Sequence, residues 1–454
     1  MMFDMNELEN QKVTNASEEI SEPVKTRNVF TNRNFTLTFL GALVSNVAAL
    51  FYSFAVSFYI LKITKNNALI QGLYLATGGI TFCIVTLLGG VISDRFNKAK
   101  IMYMCDYLKG GIIIGFTLLL MFAIKSVVWQ VTSLFIVTVL LNAIAGIFTP
   151  ASASLLPQIV KEQQFQQAQS YFSILNSFQS IVGVILAGIL YTLIPINVLF
   201  MIVGACYILS AISEMFIRYD SKFEKRNEKL TMKVVFSDIG SGFKYLVSIK
   251  AILAIMICVL FINFFFSPIF DNFAPYFIAT DVTGTNYMFH ESMAPEMWSS
   301  FFSVAVGLGS LIMGIILSTQ KQKEKCNGLI RWSMIGVSAV IILMTVAYIL
   351  FKNGVIDINA LLITVIAVLF VVGICIILIN VPSTTAMMKI VDKDKFGKVS
   401  SVANIGSQGL IPLSMLLGGL ALNYIGSIGL LAICAGGFLI TSLVLFVIKP
   451  VRDI

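Results

Sequence analysis

Charged residues are scarce in this sequence. Lys, Arg, Asp and Glu make up 12% of its 454 residues, whereas 57% of the residues are hydrophobic. Soluble globular domains carry about 25% charged and about 45–50% apolar residues. Because so few charged side chains cannot cover the surface of a soluble protein of this length, the composition predicts an integral membrane protein.

Patterns that bind metals or nucleotides, or that carry out nucleophilic catalysis, are missing as well. His290 is the only histidine, and the seven cysteines form no CxxC pair. No GxxxxGK[ST] phosphate-binding loop occurs, so direct use of ATP is not expected. A catalytic Ser/His/Asp or Cys/His site would depend on this one histidine in a loop, so we predict no enzyme, no metal site and no cofactor.

The first 33 residues lack a basic start, an apolar core and a small-residue cleavage site, so they do not form a signal peptide. They are polar and acidic, and Asp4, Glu7 and Glu9 are examples. Such a segment cannot bury enough apolar surface to fold by itself. Residues 1–33 are therefore predicted to be a disordered cytoplasmic tail.

Long apolar segments dominate the rest of the chain. They reach about 20 residues or more, the length that an α-helix needs to cross a bilayer, whereas barrel strands are about half as long. Twelve segments are placed at 35–61, 69–92, 101–124, 127–149, 166–193, 196–217, 250–278, 298–319, 329–351, 358–381, 399–423 and 427–448. We predict an all-α integral membrane fold with twelve transmembrane helices in lipid bilayer.

Basic residues are distributed unevenly among the loops. If both termini are cytoplasmic, 26 of the 31 Lys and Arg residues lie on the cytoplasmic side. This is the usual bias of helical membrane proteins, so the net charge of +8 indicates the orientation of the chain in the membrane and not nucleic-acid binding. The composition, rich in Lys, Asn and Ile, suggests a bacterial plasma membrane. The polar stretch 218–249 is predicted to be a cytoplasmic central loop between six-helix bundles at 34–217 and 250–448, with a cytoplasmic tail at 449–454.

The two halves share an internal repeat. Ile159 matches Ile390, and Gly188 matches Gly419, both at an offset of 231 residues. Phe165 and Phe396 have the same offset, and Pro150 and Pro382 differ from it by one residue. Parallel six-helix repeats with a substrate site between them are a transporter architecture.

A charged loop lies between the second and third apolar segments, directly after Gly89 and Gly90, where two helices could approach closely. The loop contains Gly90, then three residues, then Asp94 and Arg95, followed by the basic residues Lys98 and Lys100. In this pattern of Gly, three residues, Asp-Arg and then basic residues, the chain resembles the major facilitator superfamily. The resemblance implies a gating latch in which Asp94 faces the start of helix 11, near 399–401; a solvated charge pair is the alternative.

Two departures from the family pattern concern this loop and its counterpart in the second half. Asn97 stands where the family usually has Gly, and Asn also tolerates the left-handed conformation. In the second half, Gly314 aligns with Gly90, but Ser318 and Thr319 replace the Asp-Arg pair. One latch is therefore expected and not two.

Within the superfamily the chain is most similar to bacterial macrolide-efflux proteins and related exporters. The similarity lies in Asp106-x-x-Lys109, in Phe148-Thr-Pro150-Ala followed by Leu-Pro157, and in the spacing of Asn263, Pro268 and Pro275. It implies export of a small molecule driven by the proton gradient. The chain lacks the helix 5 Gly-Pro pair and the helix 4 Arg, here Asn142, of many drug–proton antiporters.

Three ionisable residues inside predicted spans are candidates for coupling. Asp271 lies between Pro268 and Pro275, where it faces either the central cavity or the outer surface. Asp106 and Lys109 share one helix face and form either a structural brace or a gating or proton-linked pair. Glu214, near Arg218, is interpreted as an interfacial salt bridge.

Polar and aromatic side chains inside the spans are candidates for a substrate cavity. Each amide alone more often forms a helix–helix hydrogen bond than binds a ligand. Together they suggest a hydrated pathway with an adaptable aromatic wall, and the candidates are Asn46, Tyr52, Asn142, Asn176, Gln179, Asn263, Asn380, Asn404 and Gln408.

We predict a monomeric secondary transporter that exports a bulky amphipathic small molecule, coupled to protons. A lipid or metabolite carrier of the same fold remains open. So does a receptor or scaffold that does not transport, with the central loop and acidic tail as its binding elements.

Overall fold

The computed structural model describes residues 28–218, 244, 248–319, 327–390 and 406–447. In these residues the chain forms helices and turns and no strand. A single 3₁₀ turn at Val29–Thr31 precedes the first helix. The first six helices are α1 (Arg33–Ile63), α2 (Ala68–Arg95), α3 (Lys98–Phe122), α4 (Val127–Ile159), α5 (Glu162–Phe178, Gln179–Gly183 and Val184–Leu193) and α6 (Ile196–Met215).

The second half begins with α7, which runs through Lys250–Ser267, Pro268–Phe273, Ala274–Phe277 and Ile278–Val282. It continues with α8 (Met297–Thr319), α9 (Asn327–Lys352) and α10 (Ile358–Ile390). The last helical run, Ile411–Val447, breaks at Gly426, where φ is 73°. We call its part up to residue 425 α11 and its part from residue 427 α12.

This arrangement agrees with the twelve predicted spans. Ten described helices are long and apolar enough to cross a membrane, and one of them, Gly406–Val444, contains both α11 and α12. The helix α7 is divided into consecutive pieces and is not among the ten. Together these elements form a multi-pass helical membrane protein.

Several helices extend beyond their predicted ends. The helix α4 was expected to end at 149 but continues through Pro150 and Pro157 to Ile159, and α10 continues through Pro382 to Ile390. Hydropathy marks the part of a helix that crosses the lipid, and it does not detect a helix that continues past it. Within the predicted tail 1–33, the structure places a 3₁₀ turn at Val29–Thr31 and the start of α1 at Arg33, and residues 1–27 lie outside the described residues.

Asparagine side chains define several helix starts. Asn32, Asn67 and Asn97 accept hydrogen bonds from backbone N–H groups in the first turns of α1, α2 and α3. These caps satisfy donors that have no partner inside the helix. Asn97 has φ −60° and ψ 116°, so it does not adopt the left-handed conformation that Asn tolerates. It caps α3 instead.

The helices α5 and α7 are interrupted by π-turns. In α5 the turn covers Gln179–Gly183, and in α7 two π-turns, Pro268–Phe273 and Ile278–Val282, flank Ala274–Phe277. Proline removes a backbone donor, which explains why the seventh helix departs from regular α geometry around Pro268 and Pro275. Both interruptions lie where these helices meet the other half of the molecule.

Glycine contacts show that the two halves are built alike. A Cβ atom on Gly89 of α2 would lie 2.2 Å from the carbonyl oxygen of Gly146 in α4. In the second half, a Cβ on Gly373 of α10 would lie 2.2 Å from the carbonyl oxygen of Val306 in α8. Both contacts need glycine because the helix backbones touch there. Gly90, in contrast, has no neighbour within 4 Å of such a Cβ in the described part of the chain.

The molecule has two ends. The first-loop face holds the connections 64–67, 123–126, 194–195, 283–296 and 353–357, and the termini face holds residue 28, the connections 96–97 and 160–161, and residue 447. Phe58 and Ala68 of the first half pack into the apolar core of the second half. They lie near the first-loop face, so the two halves are joined there.

Candidate functional site

A cavity of about 830 Å³ lies against the first half of the molecule and reaches α11 of the second. Of the predicted cavity residues, Asn46, Tyr52, Asn142 and Asn176 line it. The rest of the lining combines hydroxyl and aromatic side chains, including Ser45, Thr138, Tyr74, Phe148, Phe172 and Tyr207. Such a lining suits a molecule with both apolar and polar parts.

A second cavity of about 820 Å³ lies between α5 and α8. The predicted cavity residue Gln179 lines it, and Asn176 lines both cavities, so the two spaces adjoin. Serines from both helices contribute to its wall, namely Ser177, Ser180, Ser303 and Ser310. The π-turn of α5 at Gln179–Gly183 therefore lies in the wall of this space.

The cavities are closed at the first-loop face. A Cβ atom on Gly419 of α11 would lie 2.7 Å from the Cα of Gly72 in α2, so these backbones are in contact. On the other side, Ser300 of α8 donates a hydrogen bond to the Val184 carbonyl of α5 at 2.8 Å. Asn66 Nδ2 also donates to the Ala279 carbonyl of the other half at 3.3 Å. Toward the termini face, the lining of the larger cavity extends to Thr38 and Leu156.

Asp106 and Lys109 form a buried ion pair in α3. Lys109 Nζ donates to Asp106 Oδ1 at 3.0 Å, and neither side chain is more than 9% exposed. Ser210 Oγ of α6 lies 2.7 Å from Asp106 Oδ2 and 2.9 Å from the Gly41 carbonyl of α1. These contacts thus join three helices, namely α1, α3 and α6.

The Lys109 ammonium also faces aromatic rings and the larger cavity. Its Nζ lies 4.1 Å from the ring centroid of Phe148 and 5.2 Å from that of Tyr207, distances typical of cation–π contacts. Lys109, Phe148 and Tyr207 all line the cavity, whereas Asp106 is fully buried behind them. The cation of the pair therefore points to the open space and the anion points away from it.

Glu214 of α6 completes a cluster with this pair. It is fully buried, and neither of its carboxyl oxygens has a hydrogen-bond partner in the described part of the chain. Its side chain packs on Gly41, where an added Cβ would lie 2.8 Å from Glu214 Cγ. The expected salt bridge of Glu214 with Arg218 is therefore wrong.

Sequence reasoning missed Glu214 and Ser210 as neighbours of Asp106 because the contact depends on how α3 and α6 are rotated.

Asp271 lies in the first π-turn of α7, at the junction of the two halves. Its backbone carbonyl accepts a hydrogen bond from Gln71 Nε2 of α2 at 3.4 Å. Among the described residues, its half-buried carboxylate forms no ion pair or hydrogen bond. The preceding residue, Phe270, lines the second cavity, and the following residue, Asn272, donates to the carbonyl of Met415, which lines the first.

Other predicted site residues lie elsewhere. Asn263 of α7 donates to the Ser407 carbonyl at 3.0 Å and joins helices of the second half. Asn380 and Gln408 are exposed, and Asn404 lies outside the described residues. Asn263, Asn380 and Gln408 are not among the described residues that line either cavity.

The loop motif is described only in part. Gly90, the backbone of Asp94 and Arg95, Lys98 and Lys100 lie at the junction of α2 and α3, on the termini face. The side chains of Asp94 and Arg95 and the segment 399–401 lie outside the described part, so the predicted latch stays a prediction. In the described residues, no three His, Cys, Asp or Glu side chains come together as metal ligands.

Comparisons with known proteins agree with this architecture. The chain is 24% identical over 379 residues to the MFS-type transporter YkuC of Bacillus subtilis (strain 168), covering 82% of each chain. It is 24% identical over 398 residues to the MFS-type transporter YvqJ of the same strain, covering 87% of each chain.

Solved structures share the fold. The nucleoside transporter NupG has a TM-score of 0.67 at 12% identity, covering 92% of this chain and 99% of that one. A bacterial homologue of the iron transporter ferroportin, in an inward-facing state, has a TM-score of 0.66 at 15% identity, covering 91% and 98%. The family model of the Major Facilitator Superfamily matches residues 38–414. Since this match covers most of the sequence, the chain belongs to the Major Facilitator Superfamily and is a transporter of that type.

Proposed function

We propose that this protein is a secondary active transporter that exports a bulky amphipathic small molecule by alternating access, coupled to protons. The observation that carries the proposal is the pair of adjoining cavities between the halves, closed at the first-loop face by α2 on α11 and by α5 on α8. Rocking of one half against the other would open that face and close the opposite one.

The direction rests on the distribution of basic residues. The termini face is the side on which 26 of the 31 Lys and Arg residues fall in the predicted topology. The bias of basic residues toward the cytoplasm supports a cytoplasmic position for this face, toward which the lining of the larger cavity extends. Similarity to the macrolide-efflux branch, at Asp106-x-x-Lys109 and around Phe148 and Pro150, supports export over uptake.

Asp271 and the Asp106–Lys109 pair are the candidates for coupling. Ionisable side chains inside membrane spans are energetically costly and commonly serve transport or proton transfer. Asp271 lies at the junction between the halves and has an unpaired carboxylate among the described residues, so a change in its charge would act where the halves move. The pair belongs to the first half and contacts α1 and α6 through Ser210.

Inverted membrane vesicles test the function directly. Vesicles that contain the protein should accumulate a fluorescent amphipathic compound when their lumen is acidified, and vesicles without it should not. A panel of antibiotics, siderophores and lysolipids, offered as competitors, would identify the substrate class. Accumulation that does not depend on the protein would contradict the export proposal. Accumulation that an uncoupler leaves unchanged would contradict proton coupling alone.

The second cavity supports a lipid carrier as an alternative. Two residues of its wall on α8, Leu311 and Ile315, are large apolar side chains that are 39% and 57% exposed. An acyl chain could pack against this apolar wall. Competition by lysolipids, but not by antibiotics of similar size, would favour this function.

A further inference from the structure

The larger cavity is strongly asymmetric in charge. Among the described residues that line the two cavities, Lys109 is the only Lys, Arg, Asp or Glu. No described carboxylate of the lining stands ready to bind a cationic substrate. The only formal charge that the described part of the lining presents to a ligand is therefore positive.

Lys109 has hydrogen-bonding capacity to spare. An ammonium group carries three N–H donors. Among the described residues, Asp106 Oδ1 is the one hydrogen-bond acceptor of Lys109, and the remaining contacts of its Nζ are with the rings of Phe148 and Tyr207. The ammonium can thus donate to a ligand without leaving Asp106.

Asp106 holds this ammonium in place from behind. Asp106 is fully buried and has Ser210 Oγ within hydrogen-bond distance of its other oxygen. Lys109 therefore lies between the Asp106 carboxylate and the cavity, and the Ser210 hydroxyl contacts that carboxylate from the other side. Glu214, the other carboxyl group of the cluster, is also fully buried and is not among the described lining residues. The cluster therefore presents its cationic member to the cavity, between two aromatic rings.

We propose that Lys109 binds an anionic group of the substrate, so that this transporter carries acidic amphiphiles such as carboxylates. The apolar body of such a molecule would rest against Phe148, Tyr207 and Tyr52. Its anionic group would accept hydrogen bonds from the remaining N–H groups of Lys109. Asp106 acts as a positioning residue that keeps the ammonium at the cavity wall. This inference rests on the proposed function, since it names the substrate class of the same cavity.

Three dansyl probes that differ in charge test the proposal on the full-length protein in lipid nanodiscs. They are dansylglycine, which is anionic; its methyl ester, which is neutral; and dansylcadaverine, which is cationic. Titrations followed by dansyl fluorescence should give dansylglycine an affinity about tenfold or more above the other two, because a hydrogen bond to a charged group adds that much. Equal affinities, or no saturable binding of dansylglycine, would overturn the proposal.

The decisive variant removes the ion pair as a whole. Lys109→Met alone would leave a buried carboxylate without its cation and could fail to fold. The double variant Asp106→Asn with Lys109→Met avoids that charge and should bind dansylglycine no better than the methyl ester. Lys125→Met removes an exposed positive charge outside both cavities and should keep the anion preference. An unchanged preference in the double variant would contradict the assignment.

Uptake of dansylglycine into inverted vesicles separates the two proposals. If dansylglycine binds through Lys109 but does not move, the proposed function is wrong and the anion site stands. If the ester and the cation are transported as well as the anion, the function stands and the anion site is wrong.

Discussion

Gly188 of α5 and Gly419 of α11 occupy equivalent places in the two halves, and a helix of the other half packs closely against each of them. A Cβ atom on Gly188 would lie 2.4 Å from Ser300 Oγ of α8, and one on Gly419 would lie 2.7 Å from the Cα of Gly72 in α2. The two glycines are the repeat partners separated by 231 residues. The internal repeat therefore places two matching close contacts at the first-loop face.

These contacts predict that a large side chain at either glycine prevents closure of the first-loop face. Gly419→Leu would force α11 away from α2 because backbone atoms fill the space that the side chain needs. We expect transport to be lost, and a cysteine placed at the cavity residue Ser53 in a cysteine-free background to react faster with an impermeant maleimide from the first-loop side.

Gly111→Leu is the matched control. Among the described residues, nothing lies within 4 Å of a Cβ added to Gly111 of α3, so the same substitution there should change neither transport nor labelling. Normal transport by the Gly419→Leu variant would show that closure does not require the α2–α11 contact.

Membrane-spanning helices were predictable because a run of about 20 mostly apolar residues matches the thickness of the bilayer and is rare in soluble domains. Asp106 and Lys109 were predictable as a pair because their spacing places them on one helix face. The partners on other helices were not predictable, since Ser210 reaches Asp106 only in one rotation of α6 against α3. The same limit applies to Asn263. Its polar amide is typical of cavity linings, but its side chain donates a hydrogen bond to the Ser407 carbonyl instead.

The hydroxyl group of Ser210 is predicted to stabilise the first half. Ser210→Ala removes the hydroxyl within hydrogen-bond distance of the buried Asp106 carboxylate and the Gly41 carbonyl. We expect the free energy of unfolding to fall by ~1–3 kcal/mol, because a buried polar atom loses its partner. Unfolding in detergent, followed by circular dichroism, measures this. Thr132→Ala, at an exposed position of α4, should change it by less than ~0.5 kcal/mol.

Gly41 and Glu214 are predicted to be energetically coupled. Gly41→Ala would place a Cβ 2.8 Å from Glu214 Cγ, so the substitution should destabilise α1 against α6. Glu214→Ala provides the missing space, and the double variant should be more stable than the two single effects predict. A double-mutant cycle of unfolding free energies should give a coupling of ~0.5–3 kcal/mol. A coupling near zero would show that the helices can shift to accept the methyl group.

The last prediction concerns the energy source. Asp271→Asn keeps the shape of the side chain at the junction of the halves but removes its capacity to take up and release a proton. If Asp271 carries coupling, the variant should still equilibrate substrate across inverted vesicles, and a proton gradient should no longer drive accumulation. Fluorescence of the accumulated substrate, with and without an uncoupler, measures this. Glu291→Gln neutralises an exposed carboxylate at the first-loop face and should accumulate substrate normally.

Asp106→Asn, tested in parallel, separates the two candidates, since the residue that couples is the one whose loss makes transport insensitive to the uncoupler. Gradient-driven accumulation that persists in both variants would remove both carboxylates from the coupling mechanism.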